Sequence, residues 1–435
     1  MAAPYLSVPE LWHAIVENLE ETADLMAASL VCHVFVPAAQ KKIFREIFIP
    51  YDEEKFQALL AGLEDSSDLM LQYDRVTALS VTTCFVQLLE SSPHLIPYVR
   101  TLTLHMPDSE CLRLLSQFDW ICLRCIQFNY IRSALESSSE HKGDEAQRAM
   151  IQSIERLASN PSLRMARIFA PPKDWTAADF YSIFQAFPSS LENLALGRCN
   201  PTGNTFQLEA SPVPRPAIRH LDLQGSPAIS AILERAFDFT GLHALCFVDS
   251  WSHGSDSFLR RIGDTVEVIY IQKTSISNRD QQFLAHFDVE RHFPSLREIS
   301  YDSYPPHEIS PFDTALYPII ASLHPTNKVE KLTFNWDRFP ILMLDDSDDE
   351  SIMPFEKFVL EKMPSLHCVE LHTDAQEAST KRGWTKSARR IARRVRGIFP
   401  KLWQRNMVHL YVRTGSSGEV RITECDEEDE DWKVW

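Results

Sequence analysis

Glycine is scarce in this sequence, with 12 among 435 residues. Loops that cradle phosphate groups depend on glycine, and neither G-x-x-x-x-G-K-[ST] nor G-x-G-x-x-G occurs. The nucleophile motif G-x-S-x-G and the zinc-protease motif H-E-x-x-H are also missing. No nucleotide-binding, hydrolase or metalloprotease chemistry is therefore indicated, and we expect a non-catalytic protein with no cofactor and no metal.

Long apolar runs are also lacking, since no 18 consecutive apolar residues occur and no transmembrane helix is predicted. Residues 1–9 lack the basic stretch and apolar core of a signal peptide. The nine cysteines are scattered and odd in number, which is typical of reduced thiols. Cys122 and Cys125 form one C-x-x-C, but no second pair accompanies it, so ordinary thiols are favoured over zinc ligands. These features predict an intracellular protein of the cytoplasm, the nucleus or both.

Positive charge is in deficit as well. Lysine and arginine number 43 against 60 aspartate and glutamate residues, for a net charge of −17. Proteins that bind nucleic acids need a basic surface, so nucleic acid is not expected as a partner, and neither is a membrane. With 44% hydrophobic residues the chain can bury a large core, although it is too long for one ordinary domain.

Three amphipathic helices are predicted within residues 1–49. Ser7 and Glu10 form a capping-box pattern, and the apolar residues that follow have helical spacing up to Leu19. A second helix is predicted over Thr22–Val31 and a third over Val34–Phe44. Three short helices cannot bury all of this apolar surface between them, so part of it should face another protein or the next domain.

These residues resemble the F-box motif, whose pattern is L-P-x-E-x-x-x-x-I-x-x-x-L followed by V-C-R-x-W. Glu10, Ile15 and Leu19 match the first part, and residues 29–35, SLVCHVF, match the second. The family's Leu-Pro pair falls on Ser7 and Val8, and its tryptophan is replaced by phenylalanine. The version of the motif and the repeats that follow it resemble F-box proteins of mushroom-type fungi. By this resemblance a Skp-family adaptor would contact Val8, Pro9, Leu11, Ile15, Leu19, Leu30, Val31 and Phe35. The alternative is that these residues form only the core of an N-terminal helical cap.

An apolar pattern at positions 0, +3 and +5 recurs along the rest of the chain. Such a pattern is the L-x-x-L-x-L signature of leucine-rich repeats. Between Leu163 and Val266 successive copies lie 28, 27, 24 and 24 residues apart, a regularity that chance matches would not give. Ten copies begin at Val99, Leu123, Leu163, Leu191, Ile218, Leu242, Val266, Leu296, Val329 and Leu366, and two candidate terminal copies begin at Phe44 and Met407.

A second shared feature is the lead-in to the pattern. Proline and serine precede the first leucine in residues 160–163, 187–191, 293–296 and 363–366. Proline there ends the preceding helix and favours an extended approach to a strand. We therefore predict an α/β fold: a three-helix F-box followed by an irregular leucine-rich-repeat solenoid, a horseshoe of short parallel strands with outer helices.

The predicted organisation has four parts. Residues 1–49 form the F-box, 50–98 a helical connector or first repeat, 99–423 the solenoid and 424–435 an acidic, disordered tail. A helix is predicted at about Asp144–Leu157. The acidic run at 344–351, LDDSDDES, is interpreted as an exposed loop. The basic segment 381–405 is interpreted as the last solenoid helix, with a membrane- or acid-binding helix as its alternative.

Positions +1, +2 and +4 are predicted to lie on the concave face and to bind a protein substrate. The strongest candidates are Arg100, Arg124, Arg164, Arg167, Arg219, His220, His243 and Tyr270. The resemblance implies a substrate receptor of a Skp–cullin–F-box ubiquitin ligase, which reaches the cullin and RING subunits through the adaptor. The alternatives are an adaptor-bound scaffold without a cullin, a free repeat scaffold, and an enzyme assembled across distant repeats.

Overall fold

The computed structural model divides into two compact units. Unit 1 holds Met1–Ile218 with Ala231–Asp238, and unit 2 holds Arg219–Ser230 with Phe239–Trp435. No helix among the described residues is both long and apolar enough to cross a bilayer. The residues described are 15–19, 22–31, 33–49, 81–105, 107–130, 144–202, 214–225, 227–248, 256–273, 289–303, 317–336, 349–374, 391–393, 395–397, 399–413 and 419–422.

Unit 1 is an α/β structure whose five strands pair in chain order and are all parallel. Crossover helices separate most of these strands, as parallel pairing requires. The strands are β1 (Glu46–Ile49), β2 (Thr101–His105), β3 (Cys125–Asn129), β4 (Met165–Phe169) and β5 (Asn193–Gly197). The helices are α1 (Thr22–Val31), α2 (Val36–Ile43), α3 (Ser109–Leu115), α4 (Asp144–Ala158), α5 (Ala177–Ala186) and most of α6 (Ser230–Ala236), and residues 81–91 are helical too.

Unit 2 repeats the same architecture. Its first seven strands are parallel in chain order, and the last strand is antiparallel to its neighbour. The strands are β6 (His220–Gln224), β7 (Ala244–Val248), β8 (Val268–Lys273), β9 (Glu298–Ser303), β10 (Lys331–Trp336), β11 (Cys368–Asp374), β12 (Val408–Arg413) and β13 (Glu419–Ile422). The helices are α7 (Asp256–Ile262), α8 (Val289–His292), α9 (Tyr317–Ala321), α10 (Asp349–Lys362) and α11 (Pro400–Gln404).

The recurring apolar pattern corresponds to the strands. Its twelve copies fall on β1 to β12, and the residues at +3 pair with one another across neighbouring strands, as in Leu102 with Ile126 and Ile299 with Leu332. These four side chains are at most 2% exposed. Positions +3 and +5 point to one face of a strand, where they build the core. The predicted repeat of parallel strands and helices is confirmed.

The last copy of the pattern was assigned to the wrong register. The spacing predicts that Leu410 is a +3 residue, but it pairs with Leu371, which is a +5 residue. The copy therefore begins two residues earlier, at Arg405. A shift of two residues keeps every side chain on its face, and the true position 0 is Arg405, so only the predicted register matches the apolar pattern in full.

The serine of the lead-in connects successive repeats. The hydroxyl of Ser190 lies 2.8 Å from the carbonyl oxygens of both Pro161 and Leu163, between which its single proton is shared. The serine at the equivalent position of three other lead-ins also donates its hydroxyl proton to a carbonyl of the preceding repeat. These bonds join Ser162 to Ile121 at 2.7 Å, Ser295 to Asp264 at 2.7 Å and Ser365 to Asn327 at 3.4 Å. The recurrence of serine in the lead-in thus has a structural cause, since its hydroxyl satisfies turn carbonyls that the strands leave unpaired.

Replacing Ser190 with alanine should lower the free energy of unfolding by about 1 kcal/mol, since the one hydroxyl donor shared by two carbonyls is lost. Chemical denaturation followed by circular dichroism measures the change. Ser189 is exposed and offers the matched control, because Ser189→Ala removes a neighbouring hydroxyl that bonds to none of the described residues. Equal stabilities of the two variants would contradict the role given to the lead-in serine.

Several helices agree closely with their sequence predictions. α1 covers Thr22–Val31 as predicted, and α4 covers Asp144–Ala158, one residue longer than predicted. α2 begins at Val36 rather than Val34, because residues 33–35 form a turn and Pro37 occupies the first helical turn.

Two polar segments differ from their predictions. The acidic run was interpreted as a loop, but its last three residues open α10, where negative charge favours a helix N-terminus. Residues 344–348 and the tail 424–435 lie outside the described residues. The basic segment contains helical residues 391–393 and 395–397 followed by the separate α11. Ile391, Val395 and Phe399 are buried, which favours a covering role over membrane binding.

Candidate protein-interaction surfaces

The N-terminal helices share a small apolar core. Val16, Leu25 and Ala39 are buried at its centre. Lys42 of α2 donates from Nζ to the carbonyl oxygens of Glu17 at 2.7 Å and Leu19 at 2.5 Å. The last carbonyls of a helix lack partners within it, so this lysine holds α2 against the helix that contains residues 15–17.

Five apolar side chains of the same segment are exposed. Leu30 is 88% exposed, Val31 78%, Met26 57%, Val34 44% and Ile15 43%. Met26 and Leu30 are one helical turn apart and lie on the same side of α1. We call these five residues the N-terminal apolar patch. Several exposed apolar side chains within one short segment are typical of surfaces that bind another protein.

The eight residues predicted to contact an adaptor differ in their exposure, and three of them are not described. Val8, Pro9 and Leu11 lie outside the described residues. Leu19 and Phe35 are half-buried and pack against the core of the N-terminal helices, so part of each side chain serves the fold.

Ile15, Leu30 and Val31 are the predicted adaptor residues that the structure leaves exposed. The prediction omitted two members of the patch, Met26 and Val34. The four-residue spacing from Met26 to Leu30 was a sufficient signal for Met26. Val34 lies in the turn before α2, where no helical period applies.

The second predicted surface contains two rows of residues. Strands β1 to β11 begin at position +2, so +2, +4 and +6 share the strand face opposite the core, while +1 lies just before the strand. The prediction that +1 and +2 share a face stays a prediction, and the contact between the rings of His220 at +2 and His243 at +1 agrees with it. Arg100, Arg124, Arg164, Arg219 and His243 occupy +1 positions, whereas Arg167, His220 and Tyr270 lie on the strand face.

In unit 1 the +1 residues form a row of positive charge. The row runs through Arg45, Arg100, Arg124, Arg164 and Glu192, and each backbone N–H donates to the carbonyl of the member before it at 2.7 to 3.0 Å. Neighbouring strands are about 4.8 Å apart, so the four arginines are held close together. Arg164 pairs with Glu192 at 3.2 Å. Among the described residues the other three arginines have no carboxylate partner, so the row is electropositive.

In unit 2 the +1 row is neutralised within itself. His243 lies 3.6 Å from Glu267, and Arg297 pairs with Glu330 at 2.9 Å. Exposed pairs of this kind contribute about 0 to 1 kcal/mol each, so they define the charge of the surface more than its stability. The full row is Arg219, His243, Glu267, Arg297, Glu330 and His367.

The strand face of unit 1 carries a polar network. Gln127 Nε2 donates to Asn129 Oδ1 at 2.9 Å, and Asn129 Nδ2 lies 2.8 Å from His105 Nε2. The ring of Phe48 lies 4.7 Å from that of His105. Burial lowers the pKa of His105, so its neutral ring can accept from the Asn129 amide. Arg167 is exposed on the same face.

The strand face of unit 2 holds a network of charges around Lys331. Lys331 Nζ is 2.8 Å from Glu370 and 3.3 Å from Glu298. Burial lowers the pKa of Lys331, but its bonds to the two carboxylates outweigh burial and raise that pKa overall. Burial raises the pKa of Glu370, but the hydrogen bond and charge of Lys331 outweigh burial. The pKa of Glu370 is therefore lowered overall, which favours the ionised carboxylate. Nearby, His372 stacks on Tyr411 with ring centroids 4.6 Å apart.

Two further predicted residues meet in unit 2. The rings of His220 and His243 approach edge to face, 6.1 Å apart. Tyr270 is 39% exposed on β8, and burial of its ring raises its pKa, with Glu298 adding to the shift. These residues belong to unit 2, and the predicted arginines before Arg219 belong to unit 1.

Comparison with protein families and with curated proteins gave no match. No protein-family model matches this chain, and no curated protein matches it significantly. The functional conclusion therefore depends on the N-terminal apolar patch and on the surfaces of the two repeat units.

Proposed function

We propose that this protein is the substrate-recognition subunit of a Skp–cullin–F-box ubiquitin ligase. The observation that carries the proposal is the exposure of Leu30 and Val31, at 88% and 78%. Both residues belong to the Leu-Val-Cys segment that resembles the second half of the F-box motif. A merely structural cap would be expected to bury these side chains against the next part of the chain.

Docking of the patch onto an adaptor has a clear driving force. Burying one valine or leucine side chain contributes about 1.5 to 3 kcal/mol. Leu30 and Val31 together would supply much of the free energy of a micromolar complex, which needs about 8 kcal/mol. The inner core of Val16, Leu25 and Ala39 leaves the patch available, because it already fills the space between the helices.

The repeat units would then hold the substrate as a leucine-rich-repeat solenoid. The +1 row of unit 1 favours an acidic segment of a target protein, since three of its arginines have no carboxylate partner among the described residues. The receptor makes and breaks no bonds in this mechanism. It raises the effective concentration of the target beside a conjugating enzyme, which transfers ubiquitin.

The test is co-purification of the full chain with a Skp-family adaptor. Wild type should bind stoichiometrically, and the double variant Leu30→Ala, Val31→Ala should bind roughly 100-fold more weakly or worse, because two buried aliphatic side chains are lost. Both residues are exposed, so the variant should fold, which circular dichroism verifies.

Ile121 supplies the matched control for this test. It is 54% exposed but lies outside the N-terminal segment, so Ile121→Ala should bind the adaptor like wild type. Failure of wild type to bind, or equal binding by the double variant, would remove the adaptor from the proposal. Recruitment of a cullin by the bound pair then distinguishes a ligase receptor from an adaptor-bound scaffold.

A further inference from the structure

Strands β11 and β12 bring three metal-ligating side chains together on one strand face. Cys368 Sγ lies 3.5 Å from His409 Nδ1 and 3.9 Å from Glu370 Oε1. One ligand atom from each residue falls within 4.8 Å of the others. Glu370 and His409 are paired across the two strands, and Cys368 precedes Glu370 by two residues, which places all three on the same face.

The two distances from the sulfur are close to those in a tetrahedral zinc site. Zinc binds cysteine sulfur at about 2.3 Å, histidine nitrogen at about 2.0 to 2.1 Å and carboxylate oxygen at about 2.0 to 2.2 Å. At tetrahedral angles, a sulfur and a nitrogen bound to one ion are therefore about 3.5 Å apart, and sulfur and oxygen about 3.6 Å. The sulfur–nitrogen distance agrees, and the sulfur–oxygen distance needs only a modest widening of the angle. The ligand atoms of Glu370 and His409 lie within 4.8 Å of each other, and any further approach needed to share one ion would be made by rotation of their side chains.

We propose that Cys368, Glu370 and His409 bind a divalent metal ion of the zinc type, with water in the fourth position. Thiolate, imidazole and carboxylate together suit zinc and its analogue cobalt better than calcium or magnesium, which prefer oxygen ligands. Three protein ligands and one open position are the arrangement of zinc sites that bind a further group.

The surrounding charges orient the carboxylate ligand and balance the metal. Oε2 of Glu370 accepts from Lys331 at 2.8 Å and lies 3.6 Å from His372 Nε2, while Oε1 is directed to Cys368. Hydrogen bonds to the outer oxygen of a ligand carboxylate fix its direction. Lys331 lies between Glu298 and Glu370, so its charge cancels one of two carboxylates. The other carboxylate and the thiolate leave two negative charges, which a divalent cation neutralises.

The proposal is independent of the ubiquitin-ligase function. The cluster belongs wholly to unit 2, whereas adaptor docking uses the N-terminal apolar patch of unit 1. Adaptor binding by a variant that has lost the metal would leave both conclusions intact.

Titration of the reduced, untagged full chain with Co²⁺ tests the site. One equivalent should bind and give a sulfur-to-cobalt charge-transfer band, which Zn²⁺ should abolish by displacement. Cys368→Ser should lose the band. Loss of a residue that only orients a ligand typically weakens metal binding roughly 10- to 100-fold. Cys368→Ser removes a ligand itself, so its Co²⁺ affinity should fall by at least that factor. His409→Gln and Glu370→Gln should weaken binding comparably and guard against a folding defect in any single variant.

The matched control is Cys246→Ser. Cys246 is a half-buried cysteine on the same strand face, and its neighbour is Asp222 rather than a histidine. This variant should bind Co²⁺ like wild type with the band unchanged. The proposal is overturned if wild type binds no Co²⁺, if the band survives in Cys368→Ser, or if Cys246→Ser loses it.

Discussion

Replacing Phe184 with alanine is expected to lower the free energy of unfolding of unit 1 by about 3 to 5 kcal/mol. Phe184 of α5 is fully buried, and its ring lies 5.3 Å from Phe237, 6.0 Å from Phe180 and 6.2 Å from Phe187. Truncation removes these ring contacts and leaves a cavity. The neighbouring rings are fixed in place by α5 and by the backbone just after α6, so they cannot all move into the space.

Denaturant unfolding followed by circular dichroism measures this loss. Phe48 provides the matched control in the same unit, because its ring is 55% exposed on β1. Phe48→Ala should cost less than about 1 kcal/mol, as exposed substitutions usually do. A Phe184→Ala protein as stable as Phe48→Ala would show that the aromatic cluster does not hold the repeats of unit 1 together.

The repeat could be predicted from sequence because two periodic signals coincide in it. The apolar pattern marks each strand, and the proline–serine lead-in marks the step before it, as at Ser190 and Ser295. The register of β12 could not be predicted, because its position 0 is Arg405 whereas Met407, two residues later and on the same face, fits the apolar pattern. β13 lacks the pattern altogether, and its antiparallel pairing depends only on its contact with β12.

The candidate surfaces were predictable in part. Which apolar residues of the N-terminal helices face inward depends on how α1 and α2 pack, so Phe35 was placed outside and Met26 was overlooked. The metal cluster depends on the register of β12. In the predicted register His409 would lie opposite Cys368, whereas in the structure it pairs with Glu370. Ligands that meet only through strand register have no spacing motif for sequence analysis to find.

Replacing Gly263 with alanine is expected to destabilise unit 2 by about 3 kcal/mol, the upper end of the usual cost of overpacking. A Cβ atom at this position would lie 1.9 Å from the carbonyl oxygen of His292 and 2.8 Å from Cδ1 of Phe293. The first contact is with backbone at the end of α8, so no side-chain rotation can relieve it. The segment after α7 and the end of α8 must separate, which disturbs buried Phe293 as well.

Gly241 is the matched control, because a Cβ atom there would meet no other atom within 4 Å. Gly241→Ala should be neutral or stabilise by about 0.4 to 1 kcal/mol, since alanine restricts the unfolded chain. The two glycine substitutions, compared by thermal and denaturant unfolding, should thus differ in sign. If Gly263→Ala were also neutral, the close approach of α7 and α8 would not be needed for stability. Glycine at position 263 would then have no steric explanation.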